Sequence, residues 1–363
     1  MNKLVIGNLT HRPLRSVISI LAVAVEVIMI LSIAAILIGK VNGYHLHTSG
    51  IGMDMVVRPN NVNSMVALSS ASASLKVAPI LAAVPDVEVV APVNIQLTSS
   101  LDSIYGIDFP SFNALTPFHF IEGGPFTGPN SIILDDYAGK GKHPGQPYQV
   151  FGKNFIISGI VLHGRGGRKY VPLDTMGQYT GTEGKATVFY LKTKDAPQHQ
   201  NQVRNAIHSI DGMQNYNVQT LDEYLSQITP DKLPALKPSM YTVTGIAVVV
   251  GFLVIFQSMY TAIMERTREI GILKSLGASR SYIVQAVLAE TILLAGLGVV
   301  VGVAFSVVLN MILNKTMPTL DYQLSWPWVL RGIALALIGA MLGALYPAFK
   351  AASKDPIDAL AYE

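Results

Sequence analysis

The segment "ERTREIGILKSLGASR", residues 265–280, decides how this chain is read. It holds four cations and two anions, yet residues 241–264 before it and most of 282–313 after it are apolar. Its residues favour helix. At helical spacing Ile270, Leu273, Lys274 and Leu276 form a partly apolar face, while Arg266, Glu269 and Arg280 turn to water. Gly277 fits a C-terminal stop. A short amphipathic helix between apolar runs can lie on lipid headgroups, form an ordinary solvated loop, or serve as a docking knob for a partner protein.

The apolar runs themselves set the class. Mean hydropathy is +0.41 and only 13% of the 363 residues are charged, against about a quarter in a soluble domain. The excess lies in blocks, as in an integral membrane protein. A span needs about 20 apolar residues rising about 1.5 Å each. Four runs qualify: 17–38, 241–264, 283–313 and 326–349. The first is too long for a signal-peptide core and no small-residue cleavage site precedes Gly39-Lys40, so it is read as an uncleaved anchor.

Cations near span ends predict orientation. Lys3, Arg12 and Arg15 precede span one. Arg266, Arg268, Lys274 and Arg280 lie between spans two and three, and Lys350 and Lys354 follow span four. Only Lys315 separates spans three and four. Both termini and the 265–280 segment are therefore expected in the cytoplasm, with Trp326 and Trp328 at the outer interface.

Between spans one and two, residues 40–238 carry 15 Lys/Arg and 15 Asp/Glu, the balance of a soluble outside domain. "MDMVVRP" (53–59), "VEVVAPV" (87–93), "NFIISGIVL" (154–162) and "KATVFYLKT" (185–193) predict strands. Residues 77–83 and "QNQVRNAIHSI" (200–210) predict helices, so the domain is α+β. "NVNSMVALSSASASL" (61–75) reads as a mobile stretch or lid. "ITPDKLPALKPSM" (228–240), with prolines at 230, 234 and 238, reads as a stiff connector back to the membrane.

Several function classes are excluded or lack support. The absence of cysteine removes disulfides and thiolate chemistry, and a net charge of +3 with no basic stripe gives no case for nucleic acid. His119, His143, His163 and His199 fall in no hydrolase or zinc motif, so no catalytic or metal residue is assigned. "GRGGRKY" (164–170) lacks the G-K-[ST] ending of a phosphate loop and is read as a hairpin turn. No Walker A motif occurs, so any ATP used must be hydrolysed by another chain.

"ERTREIGILKSLGASRSYIVQAVLAETILLAGLGVVVG" (265–302) resembles the signature region of the FtsX-like permeases of ABC transporters, the MacB type. "YPAFKAASKDPIDALAYE" (346–363) is similar to that family's closing segment, with Ala361 where a cation is common. "DSIYGIDFPSFNALTPFHFIEGGPF" (102–126) and "NFIISGIVL" are similar in flavour to its periplasmic core domain. The resemblance implies a four-helix membrane protein of the bacterial cytoplasmic (inner) membrane, with an α+β extracytoplasmic domain between helices one and two. It divides the chain into 1–39, 40–238 and 239–363.

It also implies a non-catalytic permease, a homodimer that couples ATP hydrolysis by a separate cytoplasmic ATPase dimer to movement of the outside domain and export of a hydrophobic or amphipathic substrate. ATP and Mg²⁺ would sit in the ATPase, with no cofactor in this chain. A membrane-fusion protein or other outside partner is compatible. The alternative is a non-transporting signal transmitter of the FtsX type that activates a cell-wall hydrolase. Peptide, antibiotic, lipid, lipoprotein and haem all remain open as substrates. By position, Glu265, Arg266, Glu269, Ile270, Leu273, Lys274 and Gly277 would be coupling residues, with Leu273 as buried anchor and Arg266 and Glu269 nearer the rim.

Two carboxylates fall inside spans. A bare Glu26 mid-bilayer costs at least about 2.5 kcal/mol. It is read either as a substrate contact at the seam of two copies, where paired carboxylates with Met29 could ligate haem iron, or as a protonated group bonded to a neighbouring helix. Glu290 matches a Glu frequent in the family and is assigned an interhelix structural role. Gly298 and Gly302, like Gly339 and Gly343, form G-x-x-x-G patterns that allow close helix packing.

Overall fold

The computed structural model describes residues 13–60, 72–97, 103–229, 232 and 236–353. Lys3, Arg12, residues 61–71 of the Ser/Ala-rich stretch, residues 230–231 and 233–235 of the proline-rich connector and the tail from Lys354 lie outside the described residues. The chain divides into two compact units: residues 1–40 with 234–363, and residues 41–233.

From the N-terminus the chain forms α1 (Pro13–Ser49), β1 (Met55–Pro59), β2 (Ala73–Ser74), α2 (Val77–Ala82), β3 (Val87–Leu97) and β4 (Ser103–Ile107). Next come α3 (Phe109–Leu115), β5 (Phe120–Gly123), β6 (Ser131–Asp135), β7 (Pro147–Val150), β8 (Lys153–Val161) and β9 (Lys169–Pro172). The interspan domain closes with α4 (Leu173–Thr180), β10 (Lys185–Ala186), β11 (Val188–Thr193), α5 (Gln200–His208), β12 (Tyr216–Thr220) and α6 (Leu221–Gln227). The chain then runs through α7 (Leu236–Glu265), α8 (Thr267–Ser275), α9 (Arg280–Thr316) and α10 (Trp326–Ser353).

Four helices are long and apolar enough to cross a membrane, within Ser16–Ser49, Lys237–Glu265, Arg280–Thr316 and Trp326–Ser353. Small residues let them approach closely. A Cβ on Gly298 would lie 2.7 Å from Val23 Cβ, and one on Gly302 would lie 2.9 Å from Ala24 O, so the first G-x-x-x-G stripe beds α9 on α1. The second beds α10 on α7, where a Cβ on Gly343 would meet Phe252 O at 2.8 Å. Close approach replaces the hydrophobic drive that is missing between helices in lipid. Val23, Val27, Leu31, Ile255, Met259, Leu294, Ala336 and Ala340 form the shared core.

Residues 41–233 build a ten-stranded sheet in the order β12-β1-β11-β3-β4-β9-β6-β8-β5, with β7 added on β8. The pairs β4–β9 and β6–β8 are parallel and the others antiparallel, so the sheet is mixed. One core gathers Met55, Leu81, Phe189, Leu191, Val203 and Ile207; the other gathers Ile104, Ile132, Phe155, Ile157 and Met176. The strands and helices expected from "MDMVVRP", "VEVVAPV", "NFIISGIVL", "KATVFYLKT", 77–83 and "QNQVRNAIHSI" all form.

"GRGGRKY" is not a hairpin turn. It links β8 to β9 across β6, which pairs parallel with β8 and antiparallel with β9. The glycines serve close packing. Gly164 has φ +104°, and a Cβ on Gly167 would meet the Tyr105 ring at 2.4 Å.

Candidate functional site: the short helix between the second and third spans

The charged segment folds as α8, shorter than residues 265–280. Its end follows from sequence. Gly277 takes φ +94°, the left-handed conformation that closes a helix. Ala278 N–H donates to Leu273 O at 3.0 Å and Gly277 N–H donates to Lys274 O at 3.0 Å, which completes a Schellman motif. Ser279 then caps α9, its side chain accepting from Tyr282 N–H at 3.2 Å. Gly277 is thus a terminator of α8.

Burial splits α8 into two faces at helical spacing. Thr267 and Gly271 are buried, Ile270 and Lys274 are partly buried, and all four point toward the helical unit. Ile270 joins Ile263, Ile283, Ala351 and Ala352 in a small apolar cluster. The Lys274 ammonium donates to Ala352 O at 3.1 Å, satisfying a carbonyl in the last turn of α10. Arg266, the residue before α8, pairs with Glu290 of α9 at 3.2 Å, with side chains 12% and 8% exposed. The helix is therefore fastened to the ends of both α9 and α10.

The opposite face is open. Arg268, Glu269, Ile272, Ser275 and Leu276 are exposed, Ile272 at 44% and Leu276 at 79%. Two expectations change here. Arg266 does not turn to water, because its guanidinium neutralises the buried Glu290 carboxylate. Leu273 is half-buried between the two faces. Leu276 leaves the inward face: six residues beyond Ile270 it has rotated by about 240°. Glu265 and Glu269 are exposed.

Glu26 is 3% exposed and lies inside its own helical unit. A Cβ on Gly251 of α7 would sit 1.8 Å from Glu26 Oε2, and one on Gly339 of α10 would sit 3.6 Å from Oε1. These two glycines create the niche. Neither carboxyl oxygen has a hydrogen-bond partner among the described residues, so the neighbouring-helix bond is not made. Met29 lies on a partly exposed face. Glu290, by contrast, occupies an interhelix position through Arg266.

A second structural feature concerns the end of α1, whose last turns belong to the unit of residues 41–233. Tyr44 and Tyr224 share a hydrogen bond at 2.7 Å, and His45 Nε2–H donates to Ile228 O at 2.6 Å. Gly166 N–H donates to His47 O at 2.7 Å. A Cβ on Gly50 would stand 1.8 Å from Gly164 O, so the glycine-rich connection closes directly on the helix end. Behind it, Arg165 lies 4.2 Å over the Phe118 ring. Burial pushes the Asp135 carboxyl up to about 6, against the opposing pull of Ala138 N–H and the Arg168 guanidinium 3.2 Å away. The last turns of α1 are thereby gripped on more than one side. Sequence reasoning missed this grip, although the glycine spacing in "GRGGRKY" marked the place.

The sequence matches the MacB-like periplasmic core domain over residues 16–210, more than half of the chain, and the FtsX-like permease C-terminal domain over 241–356. It is 30% identical over 225 residues to the ABC transporter permease YknZ of Bacillus subtilis, covering 60% of this chain and 55% of that one. It is 33% identical over 140 residues to the macrolide export ATP-binding/permease protein MacB of Neisseria meningitidis, covering 38% of this chain and 22% of that one. The chain thus spans about half of the first relative and less of the second. The crystallised periplasmic region of MacB from Actinobacillus actinomycetemcomitans aligns with 49% of this chain and 94% of its own length, at 15% identity and a TM-score of 0.39. With both family domains in order and four membrane-length helices, the chain belongs to the FtsX-like permeases of ABC transporters that carry a MacB-like periplasmic core domain.

Proposed function

We propose that this chain is the membrane subunit of an ABC exporter or extractor of the MacB type. It works as a homodimer with a separate cytoplasmic ATPase, which binds ATP and Mg²⁺. Movement enters through α8, passes along the helices fastened to it and reaches the interspan domain through the gripped end of α1. A hydrophobic or amphipathic substrate is moved on the outer side.

The observation that carries this reading is the two-faced geometry of α8. A helix merely resting on headgroups has no need of an ion pair, a carbonyl bond and an apolar cluster tying it to two spans. A helix that transmits force needs such rigid ties on one face and a free contact surface on the other. Ile272 and Leu276 supply that surface, flanked by Arg268 and Glu269. Placing α8, Lys350 and both termini in the cytoplasm follows the cation excess in those segments. The match to the MacB-like periplasmic core domain favours transport over signal transmission to a hydrolase.

The test is co-purification of the cognate ATPase with Leu276→Asp. Desolvating a leucine contributes about 1.5–3 kcal/mol, or roughly ten- to hundredfold in affinity, and a buried unpaired carboxylate adds to the loss. The variant should insert and fold normally, since Leu276 is exposed, but lose the ATPase and its coupled hydrolysis. Undiminished association would remove the docking role of α8. A reporter fused after Arg280 should be cytoplasmic; an external reporter there would overturn the orientation.

A further inference from the structure

We propose that the groove between the first turns of α9 and the last turns of α10 binds the headgroup of an anionic phospholipid. The groove encloses about 770 Å³ and is lined by Arg280, Ser281 and Gln285 from α9 and by Tyr346, Phe349 and Lys350 from α10, among others. Both helices are membrane-length and the groove lies where they end; for helices that cross a bilayer, that end is the headgroup level.

Its chemistry is one-sided. Two cations face it, and no carboxylate occurs among its described lining residues. The Lys350 ammonium donates to Tyr260 Oη at 3.0 Å and lies 4.8 Å from the Tyr260 ring and 6.0 Å from the Tyr346 ring. One bond uses one of its three donors, so the ammonium is oriented but not exhausted. Arg280 is exposed and offers a planar fork of donors suited to a phosphate. Ser281 and Gln285 add neutral donors. Tyr346 and Phe349 are 58% and 59% exposed, and aromatic rings at this depth pack beside the glycerol and upper acyl chains. Cationic pockets between spans attract anionic headgroups. A soluble phosphate would gain the charge but not the apolar flank, which is why the occupant is a lipid.

This inference rests on α9 and α10 spanning the bilayer and on nothing about the ATPase. Delipidated, full-length protein is incubated with phosphatidylglycerol or with phosphatidylcholine of the same acyl chains, and bound lipid is counted by native mass spectrometry. Phosphatidylglycerol should be retained preferentially, and retention should fall as salt rises from 0.1 to 1 M. Arg280→Gln should lower phosphatidylglycerol retention about fivefold, the equivalent of about 1 kcal/mol, and Lys350→Gln should lower it further. Arg280→Lys should restore part of it, and phosphatidylcholine retention should not change. Arg280 is exposed, so its variants test the site even if Lys350→Gln does not fold. Unchanged phosphatidylglycerol retention in Arg280→Gln would overturn the proposal. So would full displacement of the lipid by inorganic phosphate. Loss of the ATPase with lipid preference intact would overturn it too, by making the groove a protein contact.

Discussion

Arg266 and Glu290 provide the sharpest test of how α8 is held. The two groups lie 3.2 Å apart, 12% and 8% exposed, so water and salt screen them only weakly. Arg266→Met leaves the Glu290 carboxylate buried without its counter-charge, and Glu290→Leu leaves the guanidinium in the same state. Removing one partner of a buried pair costs about 3–5 kcal/mol. Replacing both by apolar residues removes the desolvation penalty along with the attraction, so Arg266→Met/Glu290→Leu should recover most of the loss. The double-mutant cycle should therefore show a coupling of more than about 1 kcal/mol, well above the 0.3–0.5 kcal/mol scatter of independent sites. The assay is thermal unfolding of the purified protein in detergent, followed by ATPase co-purification. Single variants should melt earlier and bind the ATPase less well, because α8 then loses its ion-pair tie to α9. If the single losses are small and additive, the ion pair does not position α8 and the mechanical argument fails.

Three further outcomes are expected. Gly50→Ala places a methyl group 1.8 Å from Gly164 O; it should cost about 1–3 kcal/mol of stability and weaken coupled ATP hydrolysis, and a wild-type melting curve would show that the grip on α1 is not tight. Glu26→Met replaces an unpartnered buried carboxyl with an apolar chain of similar length, so it should raise the melting point by the equivalent of about 1–3 kcal/mol; a lowered melting point would mean that the carboxyl is held by something stronger than packing. Asp135 has its carboxyl raised from 3.8 to about 6 by burial, so the native state binds its proton more tightly than the unfolded chain does. Its contribution should make stability fall as pH rises from about 4 to about 6, with no further change above, and Asp135→Asn should flatten that segment of the melting-point profile; an unaltered profile would assign the slope elsewhere.

The sequence by itself determined the class, the four spans, four of the strands and two of the helices between the first two spans, and the C-terminal end of α8. Those features are local: about 20 apolar residues cannot rest in water, alternating β-branched residues cannot pack as a helix, and Gly277 writes a helix stop. The fully buried β6 "SIILD" and the short β9 "KYVP" gave no alternation to read, and they form because β4 and β8 supply partners. The faces of α8 were decided only in three dimensions. Apolar identity grouped Leu276 with Ile270 and charge sent Arg266 to solvent, but Glu290, 24 residues on in sequence, draws Arg266 inward. Likewise Glu26 sits within its own unit because Gly251 and Gly339, hundreds of residues away, leave the space for a carboxyl. Helical rotation can be counted from a sequence. Which rotation faces the protein depends on long-range partners, and burial next to them, not residue type, settles whether a charge is a contact surface or a structural tie.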